Sequence, residues 1–97
     1  MLGQRRVDLI VTINQVADIH QVKQLVENAV RNDERVQAKP LPTVDIAEVS
    51  DASVKLYVRP WATCEDYPKV VTATIERIKD ALLGAGLKFA VTLQPVA

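Results

Sequence analysis

Residues 43–61 read T-V-D-I-A-E-V-S-D-A-S-V-K-L-Y-V-R-P-W, and the period of two inside them decides the fold. In the second half, Val54, Leu56 and Val58 alternate strictly with Lys55, Tyr57 and Arg59. That is the pattern of a strand with one buried face. In the first half, Val44 and Ile46 point inward, and Glu48 then breaks the alternation, which calls for a bulge or twist. Asp51-Ala52 supplies a tight turn, so 43–50 and 53–61 form an antiparallel hairpin. Pro60 has no N–H to give and should end strand pairing where it stands.

Outward from the hairpin, both neighbours read as helices. Residues 36–42 (V-Q-A-K-P-L-P) are a loop, because two prolines in three positions forbid helix and interrupt pairing. Before it, Asp18 is placed as an N-cap with Gln21 three residues on. Val22, Leu25, Val26, Ala29 and Val30 then follow at the spacing of a helical apolar stripe, and the helix ends near residues 32–35. After the hairpin, a second helix starts around Asp66, with Pro68 tolerated because first-turn amides lack intrahelical partners. Its stripe is Val71, Ile75, Ile78 and Leu82, and Gly86 is its left-handed stop.

The ends of the chain close the pattern. Residues 5–13 (R-R-V-D-L-I-V-T-I) put Val7, Leu9, Val11 and Ile13 on one side and Asp8 and Thr12 on the other, and residues 14–17 break the alternation. Residues 88–93 finish as a strand with Phe89, Val91 and Leu93 on one side. The order is β-α-β-β-α-β over one domain, residues 1–97. It predicts an α+β, ferredoxin-like fold with a four-stranded antiparallel sheet and two helices on one face. Right-handed crossovers fix the strand order as 4-1-3-2. Asp8, Ile10, Thr12, Lys55, Tyr57, Arg59 and Trp61 then face the side without helices.

Composition narrows the function. The 97 residues carry 12 Lys+Arg against 12 Asp+Glu, so the chain lacks the basic footprint that nucleic-acid binding requires. Tyr57 and Trp61 lie on the face an RNA-recognition motif would use, but its Arg/Lys-Gly-aromatic signature is missing. The single cysteine, Cys64, excludes an internal disulfide and any multi-cysteine metal site. No apolar run approaches the ~20 residues needed to cross a bilayer, and no signal peptide is visible. These features fit a soluble module for a reducing compartment.

Groups for catalysis are scarce. His20 falls in the first turn of helix one, where it is solvated. Cys64 precedes helix two, where a helix N-terminus can lower a thiol pKa, but no second histidine or resolving cysteine accompanies it, and it reads as a small, partly buried residue. Asp45, Glu48 and Asp51 gather at one hairpin with too few converging oxygens for a divalent cation. Three glycines make no phosphate loop. No enzyme activity, cofactor or metal is expected.

Three stretches in order carry a family resemblance. Arg5-Arg6 opens a strand followed by A-D-I-H-Q-V-K-Q-L-V (residues 17–26). Next comes L-Y-V-R-P-W-A-T (residues 56–63), and last Y-P-K-V-V-T-A-T-I-E-R-I-K-D-A-L-L-G-A-G-L (residues 67–87). Together they resemble the C-terminal cytoplasmic α/β domain of small-conductance mechanosensitive (MscS-like) channels. Pro60 between Arg59 and Trp61 departs from the family pattern. So does K-F-A-V-T-L-Q-P-V-A (residues 88–97), where only Gln94-Pro95 is reminiscent of the family's proline-rich lead into a terminal barrel strand.

The resemblance implies a part of a larger channel on the cytoplasmic side of the inner membrane. Membrane contact would come only through upstream helices, and Met1–Gln4 could derive from an expression vector. Seven copies would enclose a vestibule beneath the pore, making the partner a homo-oligomer, while the isolated fragment would be monomeric or weakly associated. Ile10, Tyr57, Arg59 and Trp61 are the candidate interface, since Tyr, Trp and Arg dominate interface hot spots. Two other possibilities stay open. Trp61 could instead plug the end of the domain's own core. The chain could also be a stand-alone ferredoxin-like ligand-binding or regulatory module that dimerises through its sheet.

Overall fold

The computed structural model describes residues 3–14, 18–36 and 42–94. The elements are β1 (Gln4–Arg6), β2 (Leu9–Asn14), α1 (Ile19–Arg31), β3 (Thr43–Val49), β4 (Ser53–Arg59), β5 (Trp61–Thr63), α2 (Tyr67–Gly84) and β6 (Lys88–Leu93). The main sheet has the order β3-β4-β2-β6, antiparallel throughout. Read from its other edge this is the 4-1-3-2 order expected of a ferredoxin-like fold. Most of the proline loop at 36–42, the break at 15–17 and Pro95 lie outside the described residues.

Both predicted long strands are split, and Pro60 explains the split. β1 pairs with β5 from Gln4↔Thr63 to Arg6↔Trp61, and β2 pairs with β4 from Leu9↔Val58 to Asn14↔Ser53. The register is unchanged across the gap, which places Val7 opposite Pro60. The Val7 N–H donates to the Pro60 carbonyl at 2.8 Å. A hydrogen-bonded antiparallel pair normally exchanges two such bonds, and proline cannot return the second. Pairing does lapse at Pro60 as expected, but it resumes at once with Trp61, and residues 3 and 64 continue it through the Cys64 N–H and the Gly3 carbonyl.

The hairpin follows its sequence. Its register shifts between Ile46 and Glu48, which is the bulge that Glu48 called for. Ser50 closes the turn, its N–H donating to the Ser53 carbonyl at 2.8 Å.

The core lies between one sheet face and both helices. Leu9, Val11, Ile13, Val54, Leu56 and Val58 form a single cluster with Val22, Val26 and Val30 of α1 and Val70, Ile78 and Leu82 of α2. Burying each such side chain contributes about 1.5–3 kcal/mol, which is why the two periodicities lock together. Asp18 caps α1, its side chain accepting the Gln21 N–H at 3.2 Å.

The α2 stripe is rotated relative to expectation. Val70 and Thr74 are buried with Ile78 and Leu82, whereas Val71 and Ile75 are half-buried at the flank. Alanines and threonines interrupt the apolar pattern of this helix, so its sequence does not show which side of the stripe lies deepest. α2 ends in a Schellman motif: the Leu87 N–H donates to the Leu82 carbonyl and the Gly86 N–H to that of Leu83, both at 3.0 Å. Gly86 sits at φ 75°, as a left-handed stop requires.

Candidate functional site

The face without helices is built by alternate residues of β1, β2, β4 and β5. The registers set Ile10 against Tyr57, Thr12 against Lys55 and Arg6 against Trp61. On its outer flanks, Asp45 of β3 lies beside Tyr57 and Thr92 of β6 beside Ile10. All four candidate interface residues, Ile10, Tyr57, Arg59 and Trp61, therefore stand on this one face. Each is half-buried.

Polar groups knit the middle of this surface. Asp8 Oδ1 lies 2.7 Å from Arg6 Nε and 3.5 Å from Arg59 Nε, and Arg6 Nη2 donates to Asp8 Oδ2 at 3.4 Å. The Arg59 guanidinium sits 4.4 Å from the centroid of the Tyr57 ring. Two cations around one carboxylate leave an excess of positive charge, held in place by a cation–π contact. At the outer end, Glu48 and Lys55 pair at 3.4 Å, both exposed, a contact worth little in itself.

Tyr67, Phe89, Val91 and Ile75 are among the half-buried side chains that pack against the core cluster. Ile10, Tyr57 and Trp61 stand on the opposite side of the sheet by register. The Arg5 guanidinium lies 3.8 Å from the Tyr67 ring centroid.

The most exposed large apolar side chains stand elsewhere. They are Ile46 (44% exposed), Val49 (55%), Leu83 (55%) and Leu93 (41%). Ile46, expected inward, is on the helix side of β3, but an edge strand extends beyond the cover that two helices give. The strand order itself carried this signal, because it makes the second and last predicted strands the edges. Against α2, the β6 edge borders a cavity of about 540 Å³ lined by Ile75, Lys79, Leu83, Lys88, Phe89 and Val91, among others.

The isolated reactive groups stay apart. His20 is exposed on the first turn of α1. Cys64 is a free, exposed thiol, not the partly buried residue expected, because it follows β5 at the open end of the ribbon. Among the described residues, no group of three or more His, Cys, Asp or Glu could hold a metal ion. No helix among them is long and apolar enough to cross a membrane. The buried carboxylate Asp33 is structural. It accepts the Arg35 backbone N–H at 2.9 Å and the guanidinium at 3.0 and 3.1 Å, closing the turn after α1.

The chain is similar to known proteins in sequence and in fold. The profile of the family described as "Mechanosensitive ion channel MscS, C-terminal" matches residues 7–89. An uncharacterized MscS family protein of Synechocystis sp. is 34% identical over 79 residues, covering 81% of this chain and 27% of that protein. A small-conductance mechanosensitive channel of Edwardsiella ictaluri is 32% identical over 79 residues, with coverage of 81% and 28%. The chain thus spans little more than a quarter of the length of these curated relatives. In fold it is similar to the closed-state crystal structure of Helicobacter pylori MscS. The TM-score is 0.80 at 23% identity, over 98% of this chain and 38% of that one. The chain belongs to the MscS mechanosensitive channel family, as its C-terminal domain.

Proposed function

We propose that this domain is a wall element of a cytoplasmic vestibule beneath the pore of a homo-oligomeric, heptameric mechanosensitive channel in the inner membrane. It makes and breaks no bonds. Membrane tension gates helices elsewhere in the protein, and this domain holds copies together and frames the solute path. Residues 1–97 act as one unit, and the face bearing Ile10, Tyr57, Arg59 and Trp61 packs against a neighbouring subunit or domain. Glu27, Arg31 and Arg77 lie toward the helix side, where they contribute to the field that permeating ions meet.

The observation that carries this reading is that Ile10, Tyr57, Arg59 and Trp61 share the open face and all fall within residues 7–89, which the family profile matches. A half-buried indole on that face is suited to an interface, where Trp, Tyr and Arg are enriched among the few residues that carry most of the binding energy. Trp61→Ala in the full-length protein tests it. The expected result is a smaller or dissociated assembly, with thermal unfolding of the domain little changed. An intact assembly with a melted domain would refute the interface role.

A further inference from the structure

The two edges of the sheet are complementary, and neither pairs with a further strand among the described residues. On the β3 edge, Ile46 and Val49 are exposed on the helix side, while Asp45 and Glu48 lie on the open side with Asp51 in the adjoining turn, Glu48 sharing its charge with Lys55 at 3.4 Å in an exposed pair. On the β6 edge, Leu93 and, from α2, Leu83 are exposed on the helix side, with Phe89 and Val91 half-buried beside them. The cations there are Lys88 and Lys79, and the cavity between α2 and β6 has no acidic residue in its lining. Each edge thus has an apolar row on the same side of the sheet, and their charges are opposite.

We infer that these edges are the two halves of one head-to-tail interface, and that the occupant of the α2–β6 groove is the β3 edge of a second copy of this chain. This rests on the assembly proposed above and gives it a second contact surface beside the open face. Three features argue for a second copy. The charges are complementary, which sets orientation and disfavours a flipped partner. β3 and β6 run antiparallel, because three antiparallel pairings separate them, so copies set side by side without rotation bring antiparallel edges together. The registers then place Ile46 level with Val91 and Val49 level with Phe89, apolar against apolar, while Glu48 lies one same-face position from Lys88. The bulge at residue 47 interrupts the free main-chain groups of β3, so side chains carry the contact and not a continuous sheet. Because the patches differ, the interface is heterologous and propagates around a ring.

Cross-linking in the full-length protein tests this. In a Cys64→Ser background, Ile46→Cys and Leu93→Cys are introduced together, both at exposed positions, and treated with a short bismaleimide. The expected product is a ladder of covalent multimers from the double variant. Each single variant alone should give none, and a mixture of the two coexpressed singles should give linked pairs. Lys88→Glu should lower the yield several-fold, and adding Glu48→Lys should restore it. Dimers from Ile46→Cys alone would overturn the proposal by indicating a two-fold contact. No product from a protein that still sediments as an oligomer would overturn the edge contact and leave the vestibule reading standing. A protein that sediments as a monomer before any substitution would overturn both.

Discussion

At Pro60, two residue-scale effects of similar size oppose each other. Proline withholds one ladder bond opposite Val7, and a restored backbone bond is worth about 0.5–1.5 kcal/mol. Proline also restricts the unfolded chain, which stabilises by about 0.4–1 kcal/mol. Pro60→Val should therefore change stability by less than about 1 kcal/mol in urea unfolding, yet residue 60 should show a newly protected amide in hydrogen exchange. Asp33 offers a second test. Burial alone would raise its carboxyl pKa, but the Arg35 donors, together with the charges of Arg35 and Arg77, hold it below the usual carboxylate range. A carboxyl lowered in the folded state stabilises at pH above its unfolded value, and that contribution disappears as pH falls through the folded one. Asp33→Asn should cost about 1 kcal/mol at neutral pH. The loss should shrink as pH drops below about 4, and a constant loss down to acid pH would contradict the assignment.

At the scale of elements, the helix stop and the buried stripe make separable predictions. Gly86 has φ 75° and open space where a Cβ would stand, so Gly86→Ala carries only the backbone cost. Thermal unfolding should register about 1 kcal/mol of destabilisation. Thr74 is fully buried, and its Oγ1 has no hydrogen-bond partner among the described residues. Thr74→Val should stabilise by about 1 kcal/mol, the relief of an unpaired buried hydroxyl; a loss of stability would mean that the hydroxyl is satisfied. Strand alternation, the Asp18 cap, the Glu48 bulge and the Gly86 stop were all legible, because each is set by neighbours in sequence. The rotation of the α2 stripe was not, since the depth of Val70 against Val71 depends on where the sheet meets the helix. The exposure of Ile46 was also missed. Alternation tells a residue which side it faces, and only the tertiary arrangement tells whether a helix reaches that far.

At the scale of the whole molecule, the principal dimensions are 43 × 27 × 19 Å. The thinnest is about that of one sheet and one helix layer at ~10 Å each. A two-layer slab has a bare face and two edges, and here the face bears the Arg6–Asp8–Arg59 network while the edges bear the exposed apolar side chains. Both surfaces suit contacts made at high effective concentration beside tethered neighbours. Cut free, residues 1–97 should sediment as a monomer at micromolar concentration; a stable ring under those conditions would argue that tethering is unnecessary. The open-face residues could be named from alternation alone, whereas the edges required the strand order to be carried through to its spatial consequence. Native mass measurement of the full-length protein extracted in mild detergent should give seven copies of one chain, and a monomer or dimer as the sole species would contradict the proposed assembly.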